Sequence, residues 1–136
     1  MRTTFLMMAL LGILGCNNES QQPDFPNLHP VKGVVKLGGQ PVKGGTVQFV
    51  PEPDRPEFLI NSEVSTDGTF TLSTVRTTDR KGERRAGAPT GNYRVTYIPM
   101  ISDQQAGGIV EPVTTSQLIT VQEGPNDLTI SYPARK

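Results

Sequence analysis

The sequence predicts an all-β domain: two packed antiparallel sheets built from seven short strands. Three observations predict it. Apolar and polar residues alternate in short runs along residues 31–133. No stretch there carries the helical period. The 14 glycines and 12 prolines are spread between the apolar runs, so they read as turn punctuation rather than a low-complexity tract. Short strands with turn signals at intervals are the pattern of a two-sheet sandwich.

The elements follow in chain order. Residues 5–14 form an apolar run of ten behind the positive charge of Arg2. Such a run is too short to span a hydrocarbon core of about 30 Å and suits the h-region of a signal helix over residues 1–15. Residues 16–30 are polar and interrupted by Pro23, Pro26 and Pro30, which predicts a flexible or extended tether. At about 3.3 Å per residue, residues 17–30 reach roughly 45 Å. Strands are expected at 31–37, 45–50, 58–65, 69–74, 92–99, 118–122 and 128–132. Thr66-Asp67-Gly68 is expected as a tight turn, because Asp-Gly supplies the φ > 0 position that hairpins require. In the fifth strand Tyr93, Val95 and Tyr97 alternate with Arg94 and Thr96, so both tyrosines face inward. Two long loops remain, 76–91 and 100–116, and long loops on a sandwich are where binding residues concentrate.

The composition excludes several functions. The 13 Lys+Arg balance the 13 Asp+Glu, and removal of Arg2 with the signal leaves 12 against 13, a net of −1. There is no general electrostatic drive toward nucleic acid or an anionic membrane surface. One cysteine excludes an internal disulfide and a cysteine-based zinc cluster, and one histidine argues against a His-rich metal site or a Ser-His-Asp triad. His29, beside Pro30, reads as an exposed linker residue. Glu52, Asp54 and Glu57 lack the spacing of a calcium loop, and Asp67 needs no metal to form its turn. No cofactor and no catalytic constellation emerge. The segment from Arg76 to Arg85 carries five basic and two acidic residues. Arg76, Arg80, Lys81, Arg84 and Arg85 are therefore the candidate anion- or partner-binding loop, weighed against a plain solvated one. No aromatic residue interleaves these charges as a nucleic-acid stacking surface requires.

Ile13-Leu14-Gly15-Cys16, followed by the polar run from Asn17, resembles a bacterial lipobox, with an aliphatic residue at −3, a small one at −1 and cysteine at +1. The resemblance implies cleavage before Cys16, a diacylglyceryl thioether on its sulfur and N-acylation of the new terminus. Two or three acyl chains hold a protein firmly where one does not. Asn17, in place of the aspartate of the inner-membrane retention signal, implies the outer membrane.

Further motifs carry a second resemblance. Val31-Lys32-Gly33-Val34-Val35, then Gly39-Gln40-Pro41-Val42 and Gly45-Thr46-Val47-Gln48-Phe49, resemble the opening of carboxypeptidase regulatory-like domains. Thr66-Asp67-Gly68-Thr69-Phe70 is similar to their hairpin, shortened by one residue. Gly87-Ala88-Pro89-Thr90-Gly91-Asn92-Tyr93-Arg94-Val95-Thr96 is similar to their "G-A-x-x-G-x-Y-x-V-x-V" segment. Thr115-Ser116, Val121 and Gly124-Pro125-Asn126 resemble the close. With the lipobox, the chain resembles small lipoproteins abundant in planctomycete bacteria. The resemblance covers residues 31–132 and implies a Greek-key sandwich of the transthyretin, or prealbumin-like, kind. Gly39, Gly45, Gly68 and Gly91 then read as turn necessities.

Hydrolases of the transthyretin-related group use several histidines and a terminal Tyr-Arg-Gly-Ser. This chain has one histidine and ends Tyr132-Pro133-Ala134-Arg135-Lys136. The expectation is a non-enzymatic binding or structural module in the cell envelope, on the periplasmic or surface side. The membrane holds its lipid, and an envelope protein or a glycan is its partner. A carbohydrate-binding module is the alternative. It lacks tryptophan for sugar stacking.

Overall fold

Alternation decides which face of each strand is buried. In β1 (Val31–Leu37), Val31, Gly33 and Val35 point inward, while Lys32 points to water. The computed structural model describes residues 23–100 and 111–134. The signal helix expected at 1–15, Cys16 with the start of the tether, and residues 101–110 of the second long loop lie outside the described residues.

Ten further strands follow among the described residues: β2 (Gln40–Pro41), β3 (Thr46–Glu52), β4 (Phe58–Glu63), β5 (Thr69–Thr71), β6 (Ser73–Arg76), β7 (Arg84–Ala86), β8 (Gly91–Ile98), β9 (Val113–Thr114), β10 (Ile119–Val121) and β11 (Asn126–Tyr132). They form two sheets. One runs β11-β1-β2, with β5 also on β1; the other runs β10-β8-β3-β4-β6-β7, with β9 on β8. Val31, Val35, Phe70, Ile130 and Tyr132 from the first sheet meet Val47, Phe49, Ile60, Tyr93, Val95 and Tyr97 from the second in one core. The Phe49 ring lies 5.9 Å from Phe70 and 5.7 Å from Tyr93. The architecture is an all-β, two-sheet sandwich, as the alternation predicts.

All seven expected strands occur, with three differences. First, 69–74 is two strands in two sheets, because Leu72 turns the corner. The Leu72 N–H donates to Val31 in the first sheet, and its carbonyl accepts from Gly87 beside the second. The Leu72 side chain is fully buried between the sheets. Second, β2, β7 and β9 are pairings of two or three residues that carry no apolar alternation. Third, the set is not wholly antiparallel. β1 and β11 pair in parallel from Val31↔Asn126 to Leu37↔Tyr132. A parallel pair requires a long crossover, and here the rest of the domain supplies it.

The turn glycines behave as expected: Gly39, Gly45, Gly68 and Gly91 all take positive φ. In the Asp67 turn, the Gly68 N–H donates to the Ser65 carbonyl, and Asp67 accepts from the Thr69 N–H and hydroxyl. Those two Thr69 bonds, the hydroxyl's first, hold the Asp67 carboxyl below its ordinary range.

The strand registers sort the loops between two ends of the sandwich. Thr46, Glu63 and Ile98 stand side by side at one end, where the turns at Gly38-Gly39, Gly44 and Asp67-Gly68 gather. Glu52 beside Asn92, and Phe58 beside Arg76, mark the other end, where residues 23–30 also approach β1.

Candidate functional site

The basic segment is a hairpin rather than an open loop. β6 and β7 pair from Ser73↔Ala86 to Val75↔Arg84. Thr74, fully buried, donates its hydroxyl to the Gly87 carbonyl at 2.8 Å and fixes the base of the hairpin. Asp79 builds the tip. Its carboxylate accepts from the Lys81 N–H at 2.9 Å and the Glu83 N–H at 3.4 Å, and its carbonyl accepts from the Gly82 N–H at 3.0 Å. An aspartate bonding the backbone two residues on is the usual turn chemistry of this side chain. The Lys81 N–H first, then the Glu83 N–H and the Arg76 guanidinium, hold the Asp79 carboxyl below its ordinary range.

The five predicted basic residues divide into two groups. Arg76 and Arg85 turn back onto the protein. Arg76 donates to Glu83 at 2.8 Å, to Asp79 at 3.4 Å and to the Pro23 carbonyl at 3.3 Å. Arg85 donates two bonds to Glu83 at 3.0 Å. Both guanidiniums lie over the Phe25 ring, at 4.7 Å and 4.4 Å from its centroid. The other three go elsewhere. Arg84 donates to Asn61 at 3.0 Å and to the Ser73 hydroxyl, both neutral. Arg80 and Lys81 are exposed at the tip. None of these three carries an ion pair among the described residues. The predicted loop is thus a clasp of Arg76 and Arg85, an Arg84 held on the sheet by neutral partners, and a cationic tip of Arg80 and Lys81.

The clasp holds a residue that sequence reasoning passed over. Phe25 lies in the expected tether, half-buried, with its ring 5.9 Å from Phe58. An aromatic side chain between Pro23 and Pro26 in an otherwise polar stretch was the available signal. His29 also departs from its exposed-linker expectation. It is half-buried, exchanges backbone bonds with Ala88 at 2.9 and 3.0 Å, and accepts the Gly124 N–H on Nδ1 at 3.0 Å. Asn126 secures the same corner. Its amide donates to the carbonyls of Pro30, Gln122 and Gly124, and its side-chain oxygen accepts from Gln122. Within the expected tether, Pro23, Phe25, His29 and Pro30 are therefore held against the domain.

Several open concavities indent the surface, with volumes from about 210 to about 440 Å³. A cleft of about 210 Å³ opens between residues 51–58 and 89–93 and is lined by Pro53, Phe58, Pro89 and Tyr93. That is below the ~300 Å³ usual for small-molecule pockets. Its Glu52 faces Arg94 at 3.4 Å, and Arg55 pairs with Glu57 at 3.4 Å. A shallower groove between the β9–β10 segment and β11 is lined by Thr114, Thr115, Ser116, Thr129 and Ser131. Among the described residues, no three or more His, Cys, Asp or Glu are grouped so as to hold a metal. Comparison of the chain with family models, curated proteins and solved structures returned no match.

Proposed function

We propose that this chain is a lipid-anchored module of the bacterial cell envelope, held at Cys16, whose sandwich binds or supports a partner without catalysing a reaction. The observation that carries the reading is the attachment of residues 23–30 to one end of the sandwich. In a chain anchored at Cys16, that end sits at the membrane and the opposite end is presented outward. The lipobox-like segment supports the anchor, and Asn17 favours the outer membrane. The turn glycines at their expected positions support a carboxypeptidase regulatory-like, transthyretin-type sandwich in a planctomycete-type lipoprotein. A glycan-binding role has less in its favour: all three tyrosines are buried and donate their hydroxyls to backbone carbonyls.

Fractionation of intact cells, with cross-linking, tests the reading. The native chain is expected in the membrane fraction, and Cys16→Ala is expected in the soluble fraction, without the partner. Soluble protein in both cases would overturn the anchor, and turnover of a substrate by the protein would overturn the non-catalytic role.

A further inference from the structure

We infer that β11 is an interaction edge, and that its occupant is the β11 of a second copy of this chain, paired antiparallel about a two-fold axis at Thr129. The inference goes beyond the anchored-module reading and stands without it.

Two observations carry it. The first is that the other sheet edges are blunted and this one is not. β7 ends the larger sheet with three residues, two of them arginines. β2, β5, β9 and β10 are two or three residues each. β11 is seven residues long and contains no proline, glycine, lysine or arginine. Its register with β1 runs from Val31↔Asn126 to Leu37↔Tyr132 without a bulge. A long, regular edge is a template for another strand.

The second is self-complementarity. On the β1 side, the Asn126 N–H donates to the Pro30 carbonyl and the Tyr132 carbonyl accepts from Gly38. Backbone groups alternate in direction along a strand, so the N–H and C=O groups of Asp127, Thr129 and Ser131 point away from β1. No strand pairs with them among the described residues. Pro125 and Pro133 bracket this window and offer no N–H beyond it. A second β11 satisfies all three N–H and all three C=O groups in one register: Thr129 opposite Thr129, and Asp127 opposite Ser131 in both directions. The spacing is symmetric about Thr129 in this strand itself, so a second copy fits it where an unrelated strand has no reason to.

The side chains agree. Asp127, Thr129 and Ser131 are all exposed. Facing threonines pair favourably, and the Asp127 carboxylate accepts from the partner's Ser131 hydroxyl. Asp127 and the partner's Asp127 stay about 14 Å apart. Lys36 neighbours Ser131 on β1, which sets a lysine about 10 Å from the partner's Asp127. Every residue lining the groove beside β11 is uncharged. The two-fold axis runs perpendicular to the smaller sheet. With that axis along the membrane normal, both N-terminal segments leave at one height, and residues 16–23 reach about 25 Å toward the same membrane. A single chain stands on its anchored end; a pair lies along the surface. Confinement to a membrane raises the effective concentration of copies, so a single edge contact suffices.

Disulfide cross-linking tests this on the full acylated chain in phosphatidylcholine vesicles, where Cys16 carries lipid and one introduced cysteine is the sole free thiol. Opposed residues of a hydrogen-bonded antiparallel pair lie about 5.5 Å apart at Cα, within disulfide reach. Thr129→Cys is expected to cross-link at least tenfold faster than Thr71→Cys, an exposed control on β5. Asp127→Cys and Ser131→Cys are each expected to remain monomeric alone and to cross-link when mixed. Thr129→Lys, which sets like charges face to face on an exposed site, is expected to abolish the mixed cross-link with an unchanged denaturant midpoint.

Equal rates at 129 and 71 would mean random collision and overturn the pairing. Self-cross-linking of Asp127→Cys as fast as the mixture would overturn the register. Protection of the 127, 129 and 131 amides from hydrogen exchange in dilute monomer would show the edge covered from within the chain, and the second copy would be wrong. Failure to float on vesicles would overturn the anchor alone, because the same cross-links in a Cys16→Ser background in solution still decide the pairing.

Discussion

Gly33 shows what a single missing side chain does here. A Cβ at this position would overlap the Leu128 carbonyl and stand 2.9 Å from the Phe70 ring. β1 is flanked by β11 and β5 at that point, so neither neighbour can withdraw. Gly33→Ala should therefore destabilise the fold by about 2–3 kcal/mol, read as a lowered denaturant midpoint with an unchanged m-value. The tyrosines give a second residue-scale prediction. Burial pushes the Tyr93 hydroxyl up to about 12 and raises that of Tyr132 further. An unfolded tyrosine ionises near 10. Above that pH the unfolded chain releases protons that the folded one retains, so stability falls as pH rises. The contribution is intact below about pH 10, and the denaturant midpoint should drop steadily through the window up to about 12. A midpoint that stays flat across that window would contradict the burial of these hydroxyls.

At the scale of elements, the β6–β7 hairpin and residues 23–30 stabilise each other. Phe25 contributes its ring to Arg76, Arg85 and Phe58, and Glu83 neutralises both arginines from the far side. Aromatic and cation–π contacts of this kind contribute about 0.5–1.5 kcal/mol each. Phe25→Ala should lower global stability by about 1–2 kcal/mol on the same grounds. It should also make cleavage before His29 much faster in limited proteolysis, because the backbone bonds of His29 to Ala88 then begin the bound chain. Equal cleavage rates for variant and wild type would show that the clasp does not restrain the segment. Strand β7 has a second consequence. It closes an edge of the larger sheet with three residues, two of them arginines, and a short charged edge discourages pairing with another chain.

For the whole molecule, the parallel pairing of β1 with β11 is the controlling feature. It joins the first strand to the last, so much of the smaller sheet forms only when the ends of the domain meet. Contacts of such sequence separation slow folding, and refolding is expected on the millisecond-to-second scale typical of all-β sandwiches. Stopped-flow refolding checks this; microsecond folding would mean that local hairpins alone carry the stability. The same topology sets the polarity of the molecule. The bound N-terminal segment, the basic tip and the 52–57 loop share one end, while exposed Ile98 and Met100 lie at the other.

Strand positions were legible in the sequence because alternation and turn chemistry act locally: Tyr93, Val95 and Tyr97 face inward, and Gly68 turns the chain, whatever lies elsewhere. The basic residues were legible as a group for the same reason. Their division into a clasp and a free tip was not, because it depends on Phe25 and Glu83 meeting Arg76 and Arg85 across the fold. Nor was the splitting of 69–74, since only two sheets already in place require Leu72 to serve both. By itself, the sequence determined which residues form strands and which faces they bury, through short-range periodicity. Only the tertiary structure decided which strands pair, in which direction, and which charges remain free, because those outcomes depend on residues far apart in the chain being brought together.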